Sequence, residues 1–287
     1  MHKSIFITIP KKPGAVECNL FRTISLMSQI TKIILKVILN RIKGKLKLEI
    51  AEEQYGFMKG KGTRNAIFIM RMLTERAIEV QKEVHMCFID YEKAFNKVKH
   101  SDLIEILQTV NLDGKDVRII NNLYWSQEAA VNIDNNLTPW IKIKRGERQG
   151  CILSPYLFSI YGEIILRNIA EMEGIRVGGV NINNIRYADD TVLVADTSEK
   201  LQALVDVVER ESERMGLKIN IKKTEVVVAT KNSIVPVSNI TIDGARVKQS
   251  NSFVYLGSTL TSDARPKQEI ERRILIAKNA FNNMKNL

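Results

Sequence analysis

Two adjacent acidic residues, Asp189 and Asp190, interrupt a stretch that is apolar or β-branched on both sides. Strand-forming residues before and after the pair predict two strands joined by a tight turn, with both carboxylates at its tip. Neighbouring like charges are unfavourable unless a cation neutralises them, and hard oxygen ligands suit magnesium. The segment therefore predicts a strand–turn–strand unit and metal-dependent chemistry on phosphate.

The chain is strongly basic, with a formal net charge of +11 over 287 residues. Such a charge favours an anionic partner, most simply nucleic acid. Basic residues cluster at 40–47, 59–64 and 142–145, although a solvated surface also explains each cluster taken alone. No apolar run has transmembrane length and no signal peptide opens the sequence, so we expect an intracellular protein outside the membrane.

The three cysteines, Cys18, Cys87 and Cys151, are far apart and have no paired spacing. The three histidines form no ligand set with them. This spacing disfavours a zinc site or a disulfide framework and predicts reduced thiols.

Hydrophobic periodicity and turn residues predict a mixture of strands and helices. The predicted strands cover 5–9, 84–89, 219–229 and 253–256, with a hairpin around 134–136. The predicted helices cover 28–43, a segment from Thr63, one from Ser101, 155–169, 198–216 capped by Ser198, and one from Pro266. Because strands and helices do not alternate regularly, the expected fold class is α+β with an antiparallel catalytic sheet.

Asp90 is the best candidate for a third carboxylate, because it ends the apolar strand predicted at 84–89. Phosphoryl transfer with two metal ions about 3.5–4 Å apart needs acidic ligands from more than one segment. The alternative is that Asp90 caps the helix that follows.

A further block places glycines, Gly146 and Gly150, on either side of Arg148 and Gln149. Glycine allows a backbone to approach a ligand closely, and the two side chains can donate to phosphate or to base edges. Taken alone, this block is more simply explained as a loop before a helix.

Taken in chain order, these blocks resemble the motifs of reverse transcriptases of the non-LTR (LINE-type) retrotransposon class. The family's motif A is matched by Phe88-Ile89-Asp90-Tyr91-Glu92-Lys93-Ala94-Phe95. Its motif B is matched by Arg148-Gln149-Gly150-Cys151-Ile152-Leu153-Ser154-Pro155, and its motif C by Tyr187-Ala188-Asp189-Asp190. Two fingers motifs are similar to 19–26 and 54–63, motif D to 216–224, and the primer-grip motif E to 253–258. The resemblance covers nearly the whole chain and implies a right-hand polymerase fold.

The resemblance implies that Asp90, Asp189 and Asp190 are catalytic and hold two Mg²⁺ ions, with Mn²⁺ as a substitute. It also implies a set of nucleotide-binding residues: Phe95, Gln149, Arg22, Lys59, Lys61 and Lys223. Phe95 would lie under the sugar and reject a 2′-hydroxyl, because its ring offers neither room nor a hydrogen bond. The alternative is a core phenylalanine.

The remaining implied roles concern phosphates and the primer. Arg22, Lys59 and Lys61 would bind the triphosphate or the template backbone. Lys223 would protonate the leaving pyrophosphate, or is one of several solvated lysines. A primer grip at Leu256 and Gly257 would support the primer end.

The family pattern divides the chain into fingers at 1–85, palm with motif A at 86–110, a connecting helix and hairpin at 111–147, palm with motifs B to E at 148–261, and the start of a truncated thumb at 262–287. The sequence departs from that pattern at Thr23, where proline is usual, and at Asn96, where a second aspartate is usual. We expect a polymerase core alone, without an endonuclease region before it or a cysteine–histidine knuckle after it.

The implied function is RNA-directed DNA synthesis by a retrotransposon enzyme, with an RNA template, a DNA primer and dNTPs as partners. The family's locations are the nucleus and the cytoplasm; the oligomeric state is left open. Asn96 and the short thumb support a second hypothesis, a truncated and catalytically decayed copy that binds nucleic acid without polymerising. A nucleotide cyclase on a related palm would leave the fingers, motif B and primer-grip motifs unexplained.

Overall fold

A computed structural model of the chain describes residues 3–110, 112–125, 127–133 and 135–284. The chain divides into two compact units. Unit 1 comprises Met1–Glu52, Lys93–Arg167 and Ser212–Leu217, and unit 2 comprises Glu53–Glu92, Asn168–Glu211 and Lys218–Leu287. No helix among the described residues is long and apolar enough to span a membrane.

Helices and strands are mixed along the described chain. The strands are β1 (Lys3–Pro10), β2 (Phe21–Leu26), β3 (Val84–Ile89), β4 (Glu128–Ile133), β5 (Asn136–Leu137), β6 (Ile141–Lys142), β7 (Ile175–Val177), β8 (Val180–Ile182), β9 (Asn184–Tyr187), β10 (Asp190–Ala195), β11 (Glu225–Ala229), β12 (Thr241–Ile242), β13 (Ala245–Arg246), β14 (Lys248–Gln249), β15 (Ser252–Tyr255) and β16 (Ser258–Thr261). The helices are α1 (Gln29–Glu49), α2 (Thr63–Glu79), α3 (Ala94–Lys97), α4 (His100–Thr109), α5 (Gly114–Trp125), α6 (Ser154–Leu166), α7 (Ser198–Arg214) and α8 (Lys267–Met284), with 3₁₀ turns at Cys18–Leu20 and Arg167–Ile169.

Unit 2 is built on a mainly antiparallel sheet with strand order β14-β11-β3-β10-β9. Every residue of the central strand β3 is buried. This strand lies between β11 and β10 in the sheet, and α2 contributes to the core that covers it. That core joins Met70 and Leu73 of α2 to Met86 and Phe88 of β3. Burial of this apolar surface fixes the strand whose end carries Asp90.

Unit 1 contains a mixed sheet, in which β1 pairs antiparallel with β2 and parallel with β4. The short strands β5 and β6 both pair antiparallel with β4 and form the predicted hairpin. The predicted turn of that hairpin includes Asp134, which lies outside the described residues. Helix α6 packs against α1 and α4.

Several predicted boundaries are wrong. Helix α6 ends at Leu166 and is followed by a 3₁₀ turn, and α7 ends at Arg214 instead of residue 216. Helix α1 continues past Gly44 to Glu49, because Leu46 extends its buried stripe by a turn. Helix α7 is capped by Thr197, whose hydroxyl accepts from the N–H of Lys200 at 3.3 Å, and Ser198 is the first helical residue.

A further correction concerns the strand predicted at 219–229, of which only Glu225–Ala229 is a ladder strand. The N–H groups of Lys223 and Thr224 both donate to the carbonyl of Asn220. The preceding residues therefore form a turn instead of extending the strand. That turn brings Lys223 toward Asp90.

Candidate active site

The acidic pair lies at a two-residue hairpin turn, as the sequence predicts. Tyr187 pairs with Asp190 across β9 and β10, so Ala188 and Asp189 form the turn. Ala188 has a φ of 59°, in the left-handed region that disfavours a residue with a Cβ. A positive φ at the first turn residue suits the right-handed twist of the strands that it joins.

Asp90 reaches the same edge of the sheet from β3. The register pairs Thr191 of β10 with Ile89 of β3, so Asp190 and Asp90 each stand one residue beyond that pair. Directly opposed residues of antiparallel strands have Cα atoms about 4.5–5.5 Å apart. The sheet therefore brings carboxylates from distant parts of the sequence to one edge.

The backbone of Asp90 is held by the segment that the sequence assigns to motif D. Its N–H donates to the hydroxyl of Thr224 at 3.3 Å, and its carbonyl accepts from the N–H of Asn220 at 2.7 Å. The neighbouring residue Tyr91 forms an antiparallel bridge with Ile219. These contacts fix where strand β3 ends and present the Asp90 side chain.

A pocket of about 320 Å³ lies beside these carboxylates in unit 2. Its apolar part includes Phe88 and Phe253, whose stacked rings have centroids 4.3 Å apart. The complete lining consists of Phe88, Ile89, Asp90, Asp190, Thr191, Lys222, Lys223, Glu225, Phe253 and Tyr255. Acidic, basic and aromatic groups thus share one concave site, which is the usual character of a ligand pocket.

Negative charge dominates the electrostatics of this edge. Loss of hydration, and then repulsion from Asp189 and Asp90, raises the pKa of Asp190 to about 6. The ammonium of Lys223 lies at this edge, with its Nζ 3.7 Å from Oδ1 of Asp90. Concentrated carboxylates of this kind favour the binding of a further cation.

The donor chemistry of the site fits a hard divalent metal. Asp90, Asp189 and Asp190 supply carboxylate oxygens, the ligands that Mg²⁺ prefers. Oδ1 of Asp90 is buried and has no hydrogen-bond partner. Among the described residues, however, no group of three or more histidine, cysteine, aspartate or glutamate side chains is gathered closely enough to hold a metal ion. The metal assignment therefore stays a prediction.

The comparison with known families agrees with this geometry. The model of the reverse transcriptase (RNA-dependent DNA polymerase) family matches residues 9–260. The chain belongs to the reverse transcriptase family. Its acidic pair, Asp90 and motif B all lie inside the matched range, so the predicted family is confirmed.

The relatives of this reverse transcriptase chain include proteins of non-LTR retrotransposons. It is 28% identical over 217 residues to the Pol polyprotein of the R2 element of Nasonia vitripennis, covering 76% of this chain and 21% of the polyprotein. It is 26% identical over 259 residues to the RNA-directed DNA polymerase of the mobile element jockey of Drosophila funebris, covering 87% of this chain and 28% of that protein. The chain thus spans less than a third of the length of each of these relatives.

A solved structure supports the predicted right-hand polymerase fold. Apo telomerase of Candida tropicalis, truncated from its C-terminal domain, matches with a TM-score of 0.62 at 12% identity, covering 91% of this chain and 53% of the telomerase chain. At that identity the likeness concerns the fold alone. The α+β fold class with an antiparallel sheet is confirmed.

Several other predicted residues of the reverse transcriptase also belong to unit 2. Lys59 is exposed, and Nζ of Lys61 lies over the ring of Tyr55, 4.9 Å from its centroid. Leu256 and Gly257 form the turn between β15 and β16, with φ values of 47° and 80°. None of these four predicted residues is among those that line the described pocket.

Unit 1 of the reverse transcriptase holds the predicted residues Arg22, Phe95 and Gln149. Arg22 lies exposed on β2. Phe95, on α3, is half-buried, and its ring stacks on that of Phe158 with centroids 4.1 Å apart. Gln149 is half-buried, and its carbonyl accepts from the N–H of Ser25 at 2.9 Å.

Gln149 also lines a second pocket, of about 200 Å³, within unit 1. Asn96 and Thr23, the two departures from the family pattern, line the same pocket. Glu147, which is 6% exposed, forms part of its wall. Burial raises the pKa of Glu147 well above its usual range.

Sequence reasoning missed two kinds of site residue. Phe253 and Tyr255 line the pocket beside Asp90, whereas the sequence placed them in a predicted strand and in motif E without assigning either a role. Gln54 was part of a fingers motif without an assigned role, although its amide contacts the acidic turn. No local pattern in the sequence marks Gln54, because its contact with the turn joins segments that are distant in sequence.

Proposed function

We propose that this chain is an RNA-directed DNA polymerase of a non-LTR retrotransposon that extends a primer 3′-hydroxyl with dNTPs. The observation that carries the proposal is the meeting of Asp90 with the Asp189–Asp190 turn at one sheet edge, in a chain of the reverse transcriptase family. The primer oxygen would bond to the α-phosphorus while the bond to pyrophosphate breaks. The proton of the hydroxyl would leave to solvent.

Asp90, Asp189 and Asp190 are the residues that would hold divalent ions. When bound, two Mg²⁺ ions, or Mn²⁺ in their place, would supply activation of the attacking hydroxyl and stabilisation of the leaving oxygen. The carboxylate chemistry of the three residues supports this assignment, as does the buried Oδ1 of Asp90, which has no hydrogen-bond partner.

The other predicted residues would orient the nucleotide and the primer and protonate the leaving pyrophosphate. Lys223 would donate a proton to the departing pyrophosphate, a role that its ammonium near Asp90 supports. Phe95 and Gln149 would bind the nucleotide, and Leu256 and Gly257 would support the primer end. Arg22, Lys59 and Lys61 would contact phosphates. Catalysis would then depend on positioning and on fixed charge.

The proposed partners are an RNA template and a DNA primer. The net charge of +11 supports an anionic ligand, and a solved telomerase of the same fold is complexed with a fragment of telomeric RNA.

The division of the chain into subdomains also remains a proposal: fingers at 1–85, palm at 86–110 and 148–261, the connection at 111–147 and the thumb start at 262–287. We also propose that the protein acts in the nucleus and the cytoplasm.

The test is primer extension on an RNA template with magnesium. We expect the full chain to extend the primer and Asp189→Ala to lose extension. Asp206→Ala, which removes an exposed carboxylate of α7, serves as the matched control and should extend normally. Equal extension by Asp189→Ala and the full chain would refute the catalytic assignment.

A decayed copy that only binds nucleic acid is the second candidate. It is supported by Asn96, which stands in the Gln149 pocket where the family usually has an aspartate. On this hypothesis the chain binds RNA but does not extend, and Asn96→Asp restores extension. Extension by the unaltered chain would rule it out.

A further inference from the structure

The Ala188–Asp189 turn is contacted by a loop that the proposed mechanism does not use. Residues 53–56 run alongside β9: the N–H of Tyr55 donates to the carbonyl of Arg186 at 2.8 Å, and the N–H of Arg186 donates to the carbonyl of Glu53 at 2.9 Å. These bonds form a short parallel bridge between Gln54 and Arg186. The loop therefore follows the strand that leads into the acidic turn.

The side chain of Gln54 completes this contact. It is only 3% exposed, and its Oε1 accepts from the N–H of Ala188 at 3.0 Å and from the N–H of Gly56 at 2.8 Å. One carbonyl oxygen thus satisfies two backbone donors, one of them inside the turn. Buried backbone N–H groups need such partners, because leaving them unpaired is unfavourable.

Gly56 permits the close approach. A Cβ at this position would lie 2.3 Å from the backbone nitrogen of Ala188 and 3.0 Å from Oε1 of Gln54. Both atoms belong to the contact itself, so any larger residue would separate the loop from the turn. In the segment Gln54-Tyr55-Gly56, the first residue therefore supplies the hydrogen-bond acceptor and the last leaves space for the backbone of the turn.

The turn needs this support because its conformation is unfavourable by itself. Ala188 has positive φ without the freedom of glycine. A hydrogen bond to its N–H stabilises that conformation, which in turn directs the adjacent Asp189 and Asp190. Neither Gln54 nor Gly56 lines the pocket, so their effect passes through the turn.

We propose that Gln54 is a positioning residue that holds the catalytic turn through its bond to Ala188, with Gly56 allowing the contact. The proposal rests on the proposed function for its catalytic consequence. Its structural part, the bond to Ala188, is independent of that function.

The direct test is hydrogen exchange at the Ala188 amide in the full chain. Gln54→Met fills similar volume without an acceptor, and Gln54→Asn withdraws the oxygen by one methylene; both should speed exchange by about tenfold or more. Gln54→Glu keeps the acceptor and should retain protection. Gln249→Met is the control, because Gln249 accepts from the N–H of Ser238 and donates to the carbonyl of Pro236, each at 2.8 Å, away from the turn.

Two further measurements test whether losing this hydrogen bond weakens metal binding and catalysis at the proposed site. Mn²⁺ titration followed by electron paramagnetic resonance should show weaker binding by about threefold or more in Gln54→Met and no change in Gln249→Met. In primer extension, Gln54→Met should lower kcat by about tenfold, with the KM for dNTP changed by less than about twofold.

Unchanged Ala188 exchange in both Gln54→Met and Gln54→Asn would overturn the proposal, as would equal Mn²⁺ binding and equal kcat in Gln54→Met and Gln249→Met. If the unaltered chain does not extend primers, the proposed function fails. The exchange and Mn²⁺ measurements still decide the role of Gln54. Faster exchange with weaker Mn²⁺ binding would then support it without polymerase activity.

Discussion

Single residues at the acidic edge of the sheet differ in how far the structure constrains them. Asp90 is fixed on its backbone by Thr224 and Asn220, whereas Lys223 is two-thirds exposed and held mainly by charge. A side chain with few contacts contributes little to stability. Its substitution therefore reports on chemistry instead of on folding.

Replacing Lys223 by methionine should lower kcat for primer extension by about a hundredfold, the usual scale for loss of a general acid. The ammonium near Asp90 is removed while the stem is retained. The measurement is single-turnover incorporation of one dNTP. Lys218→Met, at an exposed lysine of the same segment, is the control, and equal rates in the two variants would exclude the proton-donor role.

Replacing Phe95 by valine should raise the ratio of ribonucleotide to deoxynucleotide incorporation by about tenfold. The smaller valine side chain would leave room for the 2′-hydroxyl that the proposed role of the phenylalanine ring is to exclude. Phe158→Leu removes the other ring of the same stacked pair and controls for lost packing. A similar rise in both variants would assign the effect to packing and make Phe95 a core residue.

At the scale of elements, a buried carboxylate of α8 joins this helix to the β15–β16 hairpin. Glu269 accepts from the N–H of Thr259 at 2.9 Å and forms ion pairs with Arg272 and Arg273. Both arginines also donate to the carbonyl of Gly257 in the predicted primer grip. The helix therefore supports the turn that would hold the primer end.

Glu269→Gln should destabilise the fold by about 2 kcal/mol at pH 7, because hydrogen bonds to a charged group are lost. Burial alone would raise the pKa of Glu269, but the Arg273 pair, the Thr259 N–H and the Arg272 pair outweigh it and lower the pKa to about 2. The folded pKa lies below the unfolded value, so this stabilisation is complete above about pH 4.5 and is lost as the pH falls toward 2.

The measurement is the thermal unfolding midpoint of both chains between neutral and acidic pH. The difference between them should shrink as the pH falls below about 4.5. Glu271→Gln, at an exposed glutamate of the same helix, should match the unaltered chain throughout. A constant difference for Glu269→Gln would contradict the assigned ion pairs.

Strands and helices were predictable where the local hydrophobic pattern favoured a single type of secondary structure. The apolar run at 84–89 and the strands around Asp189 and Asp190 follow directly from periodicity, and β3, β9 and β10 confirm them. The contact of Gln54 with Ala188 could not be predicted, because it joins loops that are distant in sequence. Such contacts depend on tertiary packing and leave no local period.

At the scale of the whole molecule, charge and family point to the same ligand. A formal charge of +11 on a reverse transcriptase chain predicts binding to the phosphate backbone of nucleic acid. Protein–phosphate contacts release counterions, so their affinity depends strongly on salt. Family membership was predictable because motifs A to E occur in order, whereas the division into two compact units was not.

The affinity for an RNA–DNA duplex should therefore fall by about tenfold or more between about 50 and about 200 mM salt. The measurement is a binding titration by fluorescence anisotropy at several salt concentrations. The logarithm of Kd should rise linearly with the logarithm of salt concentration. A flat dependence would contradict a backbone-binding role for the basic surface.

The most direct test of the central claim is the rate of one dNTP addition opposite an RNA template, measured together with duplex binding for the full chain and Asp90→Asn. Asparagine keeps the shape of Asp90 and removes its charge. We predict addition by the full chain and a loss of about a thousandfold or more in Asp90→Asn, with Kd for the duplex changed by less than about twofold. Equal rates in the two chains, or duplex binding without any addition by the full chain, would contradict the account.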